Sequence, residues 1–598
     1  MSWRPRRLAI LLVGAAAVAA WVAYLYALTW HAYGSHSDSA NAARAGHDLV
    51  TGNPLLRGWK LPADSYWSID LPVFGALSAL FGLSPRVVHL APLVIAAAAI
   101  GVSGWCIIGS DRPGGGGDDG CVRRPWSGRA PLLLGLVGPV LLLGLPHPFL
   151  VYILFQGPWH VGTALLCLTA IPLAAAPWRS WRWAAAAALL AAAVVGDPIA
   201  LALGVAPVVG ASALRALRTR RAADLGHTAL SGVVPVVAAA TVRLLLVAAG
   251  GFDVAATETS PLSNVVPNLR HVPRLLGALL GVGRLAGLST AGSPRYGGVD
   301  QAAHAAGATL LGAAVLVSSG TVALGIVRAS RRRPDRGQAV DSALLRRVWR
   351  DGGAQVRGRS GEEWLDTALV FGFWGSIAAY AVVAAPDTGF AGARYLPAAL
   401  LFGVTLAGRR FRNLAAAPAV LRHIAVVVLA ALLPLYLLSS LRLLGRPQPA
   451  DPDAQLAATL TDRHLDFGYA PYWIASNTVL HSRGRLTILP VESVGGRLRA
   501  FDFYADRAVL HRSAPPEAAT FVVYRADTGW GDVDLPSARG TFGEPAAVET
   551  FGPYTLLIYS GSTAPVSRIL SRAASSRTGT PRDSALASLE PAFVPATT

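Results

Sequence analysis

The chain returns again and again to apolar runs near the ~20 residues that an α-helix needs to cross a bilayer. They fall at about 8–30, 85–108, 131–145, a stretch running up to Trp178, 184–213, 228–249, 301–327, 366–385, 394–407 and 420–441. A backbone in hydrocarbon must satisfy its own N–H and C=O groups, so repeated runs of this length read as helices. At 598 residues, 53% hydrophobic and only 14% charged, with a mean hydropathy of +0.45, the chain is too apolar for an ordinary soluble protein.

The net charge of +18 invites a nucleic-acid reading, but the arginines sit in short blocks between apolar runs, as cytoplasmic loops of membrane proteins require. No nucleic-acid partner is expected. Arg4, Arg6 and Arg7 precede the first run, which ends in Trp21, Tyr24, Tyr26 and Trp30, so it reads as an uncleaved anchor with a cytoplasmic N-terminus. The run 184–213 has arginines at both ends and Gly196-Asp197-Pro198 in its middle. Proline disfavours a continuous helix there, so two short helices are expected. The count is then about eleven crossings, with the C-terminus outside and every basic cluster inside except Arg270, His271, Arg274, Arg284 and Arg295 in the outer loop 250–300. Gly114 to Gly117 reads as part of a flexible cytoplasmic loop, and 328–359 as a basic cytoplasmic one.

From Arg446 onward the composition changes. The runs 485–491, 520–526 and 554–560 are strand-like, and 453–465 looks helical. The expected fold is therefore a polytopic α-helical membrane domain (1–445), a small extracytoplasmic α/β domain (446–567) and a disordered tail (568–598). Cys106, Cys121 and Cys167 imply neither a disulfide framework nor a cysteine-rich metal site.

The polar stretch 31–84 between the first two runs is longer than a connector needs to be. It holds His31, His36, His47, four aspartates (Asp38, Asp48, Asp64, Asp70), Trp59, Tyr66 and Trp67. There is no P-loop, GxSxG or HExxH motif in the chain. A carboxylate at a partly dehydrated interface suits general-base chemistry, and Asp38 lies just past the first helix. Ser37 is expected to cap a short helix over 39–49, with Ala42, Ala45 and Leu49 on its lipid side. Arg394, at the outer end of a span and followed by Tyr395, is a candidate for contact with an anionic ligand, because guanidinium can bind an oxyanion in a bidentate way. The excess positive charge of the outer loop 250–300 fits an anionic ligand. Asp48, Trp67, His160 and Asp197 are further substrate-binding candidates, and GYAPYW at 468–473 suits burial or stacking on sugar rings. His36, Asp38, His47 and Asp48 form a candidate group for a divalent metal ion.

This arrangement resembles the GT-C superfamily of integral membrane glycosyltransferases, including protein mannosyltransferases and cell-wall arabinosyltransferases. The resemblance rests on SHSDSANAARAGHDLVTGNPLLRGW after the first span, the broken pair around VVGDPIALAL, RYLP at 394–397 and the outer C-terminal domain. It implies a plasma-membrane enzyme taking a sugar from a polyprenyl-phosphate donor. The acceptor would be an extracytoplasmic glycan, lipid or protein, with transfer by inversion. Asp38 matches the family's acidic residue past helix one, and Arg394 would hold the donor phosphate, with Arg270, His271, Arg274 and Arg295 as secondary contacts. Several relatives carry an acidic residue in the second outer loop, but 146–160 has none here. The rival reading is a transporter or flippase of lipid-linked sugars, or an inactive relative. A transporter should show repeat-related halves, and none is visible.

Overall fold

A computed structural model of the protein describes residues 3–108, 134–136, 138–256, 259–283, 298–331, 359–383, 390–414, 417–510, 519–525 and 532–560. Cys121, the glycine run 114–117, Arg284, Arg295, most of the basic segment 328–359 and the expected tail lie outside the described residues.

The polytopic helical fold is present. Helix α1 (Trp3–Ala32) is followed by α2 (Ser37–Val50), strand β1 (Trp59–Leu61), α3 (Asp70–Phe81) and α4 (Pro85–Ile108). Among the described residues seven helices are long and apolar enough to span a membrane: Leu12–Ala32, Pro85–Ile108, Leu201–Thr219, Ala222–Ala248, Gly298–Arg331, Gly361–Val383 and Ala419–Leu444. Val161–Ala174 and Trp181–Gly196 are apolar but shorter, so the eleven expected crossings exceed the helices that qualify by length. The break in 184–213 is where proline demands it. Trp181–Gly196 ends at Asp197, a wide turn of π-helix covers Leu201–Val205, and Ala206–Thr219 resumes.

Pro397–Leu414 lies buried along most of its length against α4, Gly298–Arg331 and Arg359–Val383. Its Arg409 donates to the carbonyl of Cys106 (2.9 Å) and to Asp366 (2.5 Å), while Arg412 donates to the carbonyl of Ile107 (2.7 Å). These arginines satisfy the last carbonyls of α4, which have no partner within their own helix. This helix begins at Pro397, not at Arg394 as the apolar run suggested. Arg394 and Tyr395 occupy the turn ahead of it, because proline at a first helical position needs no N–H partner.

The loop between α1 and α4 is itself folded. α2 starts two residues earlier than expected, and its cap is His36, not Ser37: the His36 ring accepts from the Asp38 amide (3.3 Å). Ser37 is instead occupied with the carbonyl of Trp473 (2.7 Å). The expected lipid-facing side is likewise corrected. Ala42 and Ala45 are fully buried and pack with Leu71 and Phe74 of α3, because small residues let two helices approach backbone to backbone. A Cβ on Gly46 would lie 2.6 Å from the Gly75 amide nitrogen and 2.9 Å from the Leu71 carbonyl oxygen.

Two sheets complete the structure. A small one, in the order β2-β1-β6, joins β1 to β2 (Asp253–Val254) in parallel and to β6 (Ala505–Asp506) in antiparallel. It stitches the first loop to two segments distant in sequence. The larger sheet has the order β5-β4-β3-β7-β9-β8, built from β3 (Phe467–Ala470), β4 (Thr487–Val494), β5 (Arg497–Ala500), β7 (Thr520–Tyr524), β8 (Ala547–Phe551) and β9 (Tyr554–Tyr559). β3 runs parallel to β4 and β7, and the outer pairs are antiparallel. This sheet domain sits over the end of the bundle that carries α2 and α3, with Tyr472, Leu480, Phe501 and Tyr504 in one apolar cluster with Leu71, Phe74 and Val87.

Gly46→Ala is expected to cost about 1–3 kcal/mol, since a methyl there meets backbone that cannot step aside. A lower unfolding temperature of the detergent-solubilised variant would show this; an unchanged one would mean the α2–α3 contact is looser than described.

Candidate active site

Three separate parts of the chain bring ionisable groups to the sheet-domain end of the bundle. The first loop supplies Asp38, Asp64, Tyr66 and Asp70; the helix starts and breaks supply His160 and Asp197; the turn before Pro397 supplies Arg394 and Tyr395.

His160 is the hub. It caps Val161–Ala174 with a left-handed backbone (φ 62°), an unusual conformation for a residue with a side chain. Its Nδ1 lies 2.7 Å from Asp197 Oδ2, and its Nε2 lies 3.9 Å from Asp64 Oδ2. Tyr395 stacks on the imidazole at 4.9 Å. Asp197 is buried at 1% exposure and is fully used. Oδ2 also accepts from Thr163 Oγ1 (2.6 Å), and Oδ1 accepts from the Ile199 amide (3.1 Å). Asp197 thus orients His160 and caps the turn at once. Burial alone would lower the pKa of His160, but Asp197 and Asp64 outweigh it and raise it above the usual imidazole value.

Asp64 accepts a hydrogen bond from the Tyr66 phenol. Asp70, at the first position of α3, is 1% exposed, and its Oδ2 has no hydrogen-bond partner among the described residues. Burial, reinforced by the charge of Asp197, pushes its carboxyl up to about 8, so it is chiefly neutral at pH 7.

Asp38, in the first turn of α2, accepts from the Tyr472 phenol of the sheet domain (2.5 Å). His36 beside it is held below the usual imidazole value, first by burial and further by the positive charge of Arg394, against the opposing pull of Asp38. His36 therefore senses both the candidate base and the candidate phosphate anchor. The Arg394 guanidinium lies over the Tyr395 ring at 5.2 Å and donates to its hydroxyl (3.3 Å). Its Nε is buried without a hydrogen-bond partner among the described residues. Tyr395, Asp64 and Tyr66 hold its pKa above the ordinary guanidinium value.

Other sequence candidates are elsewhere. Asp48 lies at the far end of α2, about 15 Å along the helix from Asp38 by helical rise, and accepts from Trp59 Nε1 (2.9 Å). Trp67 donates to the Pro54 carbonyl (3.0 Å) and packs on Phe252. Arg270 and Arg274 are exposed and His271 half-buried on the helix Val265–Leu279, with no bond to the His160 group. The possible metal group separates the same way: His36 and Asp38 begin α2, while His47 and Asp48 end it. Among the described residues no group of three or more His, Cys, Asp or Glu is placed to hold a metal ion. The sequence reads Asp64 and Asp70 as acceptor-side or structural, does not single out Tyr504, and shows Tyr472 only as part of an aromatic run. Tyr504 is fully buried, within reach of the charges of Asp38, Asp70 and Asp64, with its hydroxyl lacking a partner among the described residues.

The fold and the site define a polytopic helical membrane protein whose chemistry is gathered under a sheet domain at one end. No family model and no curated protein matches the chain. Two solved structures resemble it distantly. The crystal structure of ArnT from Cupriavidus metallidurans bound to undecaprenyl phosphate is 12% identical, with a TM-score of 0.46 over 91% of this chain and 97% of that one. The apo state of ArnT gives 11% and 0.43 over 93% and 98%.

The raised pKa of Asp70 has a definite sign. An unfolded aspartate loses its proton near 4, whereas the folded one holds it up to about 8. Between these values the native state binds more protons than the unfolded state, so this group's contribution to stability falls as pH rises. Asp70→Asn removes the penalty. Its stability relative to wild type is expected to grow from pH 5 to 8 and level off above, read as the difference in unfolding temperature. A pH-independent difference would contradict the assignment.

Proposed function

We propose that this protein is a GT-C-type glycosyltransferase that moves a sugar from a polyprenyl-phosphate donor to an extracytoplasmic acceptor hydroxyl. The observation that carries the reading is Arg394. A guanidinium with a buried, unsatisfied Nε and no ion pair among the described residues suits an anionic ligand, and it lies in electrical reach of the groups beside Asp38. Asp70 Oδ2, Tyr504 Oη and Gln156 Oε1 are also buried without partners among the described residues, the kind of polar inventory that a sugar would satisfy.

In the proposed step Asp38 takes the proton of the acceptor hydroxyl as its oxygen bonds to the anomeric carbon from the face opposite the phosphate. The bond from that carbon to the phosphate oxygen breaks, and its electron pair leaves with polyprenyl phosphate. Arg394 stabilises the charge that accumulates there. His160, fixed by Asp197 and stacked on Tyr395, keeps the Arg394 turn in register. Arg270, His271 and Arg274, on an amphipathic helix, are proposed as outlying contacts to phosphate or membrane lipid headgroups rather than to the reacting atoms. Arg295 and Asp48 carry no step. Trp67, whose indole is spent on the Pro54 carbonyl and Phe252, is given none either. The sheet domain faces the extracytoplasmic side of the plasma membrane and the N-terminus the cytoplasm, the orientation that the arginine blocks favour.

The test is transfer by the purified protein from a panel of polyprenyl-phosphate-linked pentoses and hexoses. Asp38→Asn is expected to lower turnover about 10²–10⁴-fold, the usual worth of a general base. Arg394→Lys is expected to weaken donor use despite its charge, since ammonium cannot bind phosphate in a bidentate way. Wild-type turnover by Asp38→Asn would remove the base assignment, and vesicle transport that survives the substitution would favour a transporter.

A further inference from the structure

The segment joining α1 to α2 grips the sheet domain residue by residue. Ser35 Oγ donates to Asp451 Oδ2 (2.7 Å), and His481 Nε2 lies 2.9 Å from the same carboxylate oxygen. The ring of His36 faces Trp473 at 5.1 Å, and Ser37 Oγ donates to the Trp473 carbonyl (2.7 Å). Asp38 Oδ1 then receives the Tyr472 phenol at 2.5 Å. Four successive residues are thus seated on one domain more than four hundred residues away in sequence.

Tyr472 is well placed to hold a carboxylate still. It is the first residue of the helix Tyr472–His481, separated by one residue from the end of β3, which is flanked by two parallel neighbours. Its ring is fully buried against Phe501, Phe503 and Trp473. Burial and the Asp38 carboxylate push its phenol well above the ordinary value, so it stays protonated and can only donate to that carboxylate.

We propose that Tyr472 is a positioning residue for Asp38, so that the sheet domain completes the active site. The proposal deepens the glycosyltransferase reading and rests on Asp38 as the base. By occupying Oδ1, Tyr472 fixes the rotation of the carboxylate and leaves Oδ2 for the acceptor hydroxyl. Oδ2 faces His36 at 3.8 Å, and His36 itself lies within reach of the Arg394 charge. A base held to one orientation by a rigid second element loses less rate to misaligned encounters.

A matched control exists in the same domain. The Tyr554 phenol donates to Asp453 (2.6 Å), a buried tyrosine–aspartate bond that is not part of the site. The experiment compares Tyr472→Phe and Tyr554→Phe in the full-length protein in nanodiscs, using the polyprenyl-phosphate sugar that the donor panel identifies, with rates expressed per monodisperse protein. Tyr554→Phe is expected to lower the unfolding temperature and leave kcat unchanged. Tyr472→Phe is expected to lower kcat about 10–100-fold with the donor KM within about threefold, the pattern of a lost transition-state alignment. If Tyr472→Phe behaves like Tyr554→Phe, losing stability but not kcat, the positioning role is overturned. If kcat and KM change together in the manner of lost substrate binding, it is overturned as well. Asp38→Asn separates the two readings. An inactive Asp38→Asn beside a fully active Tyr472→Phe sinks only the proposal for Tyr472, whereas an active Asp38→Asn removes the base assignment on which it rests, and no transfer by the wild-type protein from any donor of the panel sinks the glycosyltransferase reading itself.

Discussion

Hydrocarbon offers no hydrogen bonds, and that constraint arranges everything else in this molecule. Within the spans the backbone bonds to itself and helices meet through small residues, as where Gly375 approaches the Ala202 carbonyl and Gly408 the Gly135 carbonyl. Side chains able to do chemistry are driven to the two ends. At one end arginines cap helix carbonyls and pair with Asp366 and Glu362. At the other, carboxylates, imidazoles and phenols collect beneath the sheet domain, where the loop 31–84 is folded rather than free.

That second end solves an electrostatic problem. Asp38, Asp64, Asp70 and Asp197 cannot all carry full charge in a poorly solvated space without strong counter-charge. Each is handled differently. Asp197 is bound by Thr163, His160 and a backbone amide; Asp64 is bound by Tyr66; Asp38 is bound by Tyr472; and Asp70 keeps its proton. Arg394 is left without a dedicated carboxylate among the described residues, which suits a cation reserved for a ligand.

The apolar runs and the arginine blocks made the helical architecture legible, and Gly196-Asp197-Pro198 marked its break, because these signals are local. The strands β4, β7 and β9 were legible as β-branched and aromatic runs, and so was the helix Pro452–Asp462. What was not legible depends on tertiary contact. His36 replaces Ser37 as the cap only because Ser37 is drawn to Trp473, and Ala42 and Ala45 turn inward only because α3 comes to meet them. Within the candidate site, Asp38, Arg394, Tyr395, His160 and Asp197 were each visible as a polar residue at an apolar boundary. Asp64 and Asp70 read only as acceptor-side or structural and Tyr504 did not stand out, since an aspartate in a polar loop looks like any other until Asp197 and His160 are folded against it. Trp67 and Asp48 stood out as well, and their polar atoms are spent on the loop's own carbonyl and indole.

Backbone conformation carries the same message as the charges. Tyr66, His160 and Tyr504 all have left-handed φ angles, 54°, 62° and 46°, in places where glycine would be easier. Each such residue costs on the order of 1 kcal/mol and persists only where its surroundings insist on it. Tyr66 is tied to Asp64 and, through its amide, to the Gly196 carbonyl (2.9 Å); His160 is tied to Asp197. Tyr504 immediately precedes the strand that joins β1 in the small sheet. These three come from the first loop, the bundle and the sheet domain, and each lies within reach of the Asp64 charge, whereas Leu56, Arg220, His464 and Arg483 also adopt left-handed φ angles. Left-handed backbone is therefore not confined to this place, but here it is contributed by three segments that meet at one carboxylate.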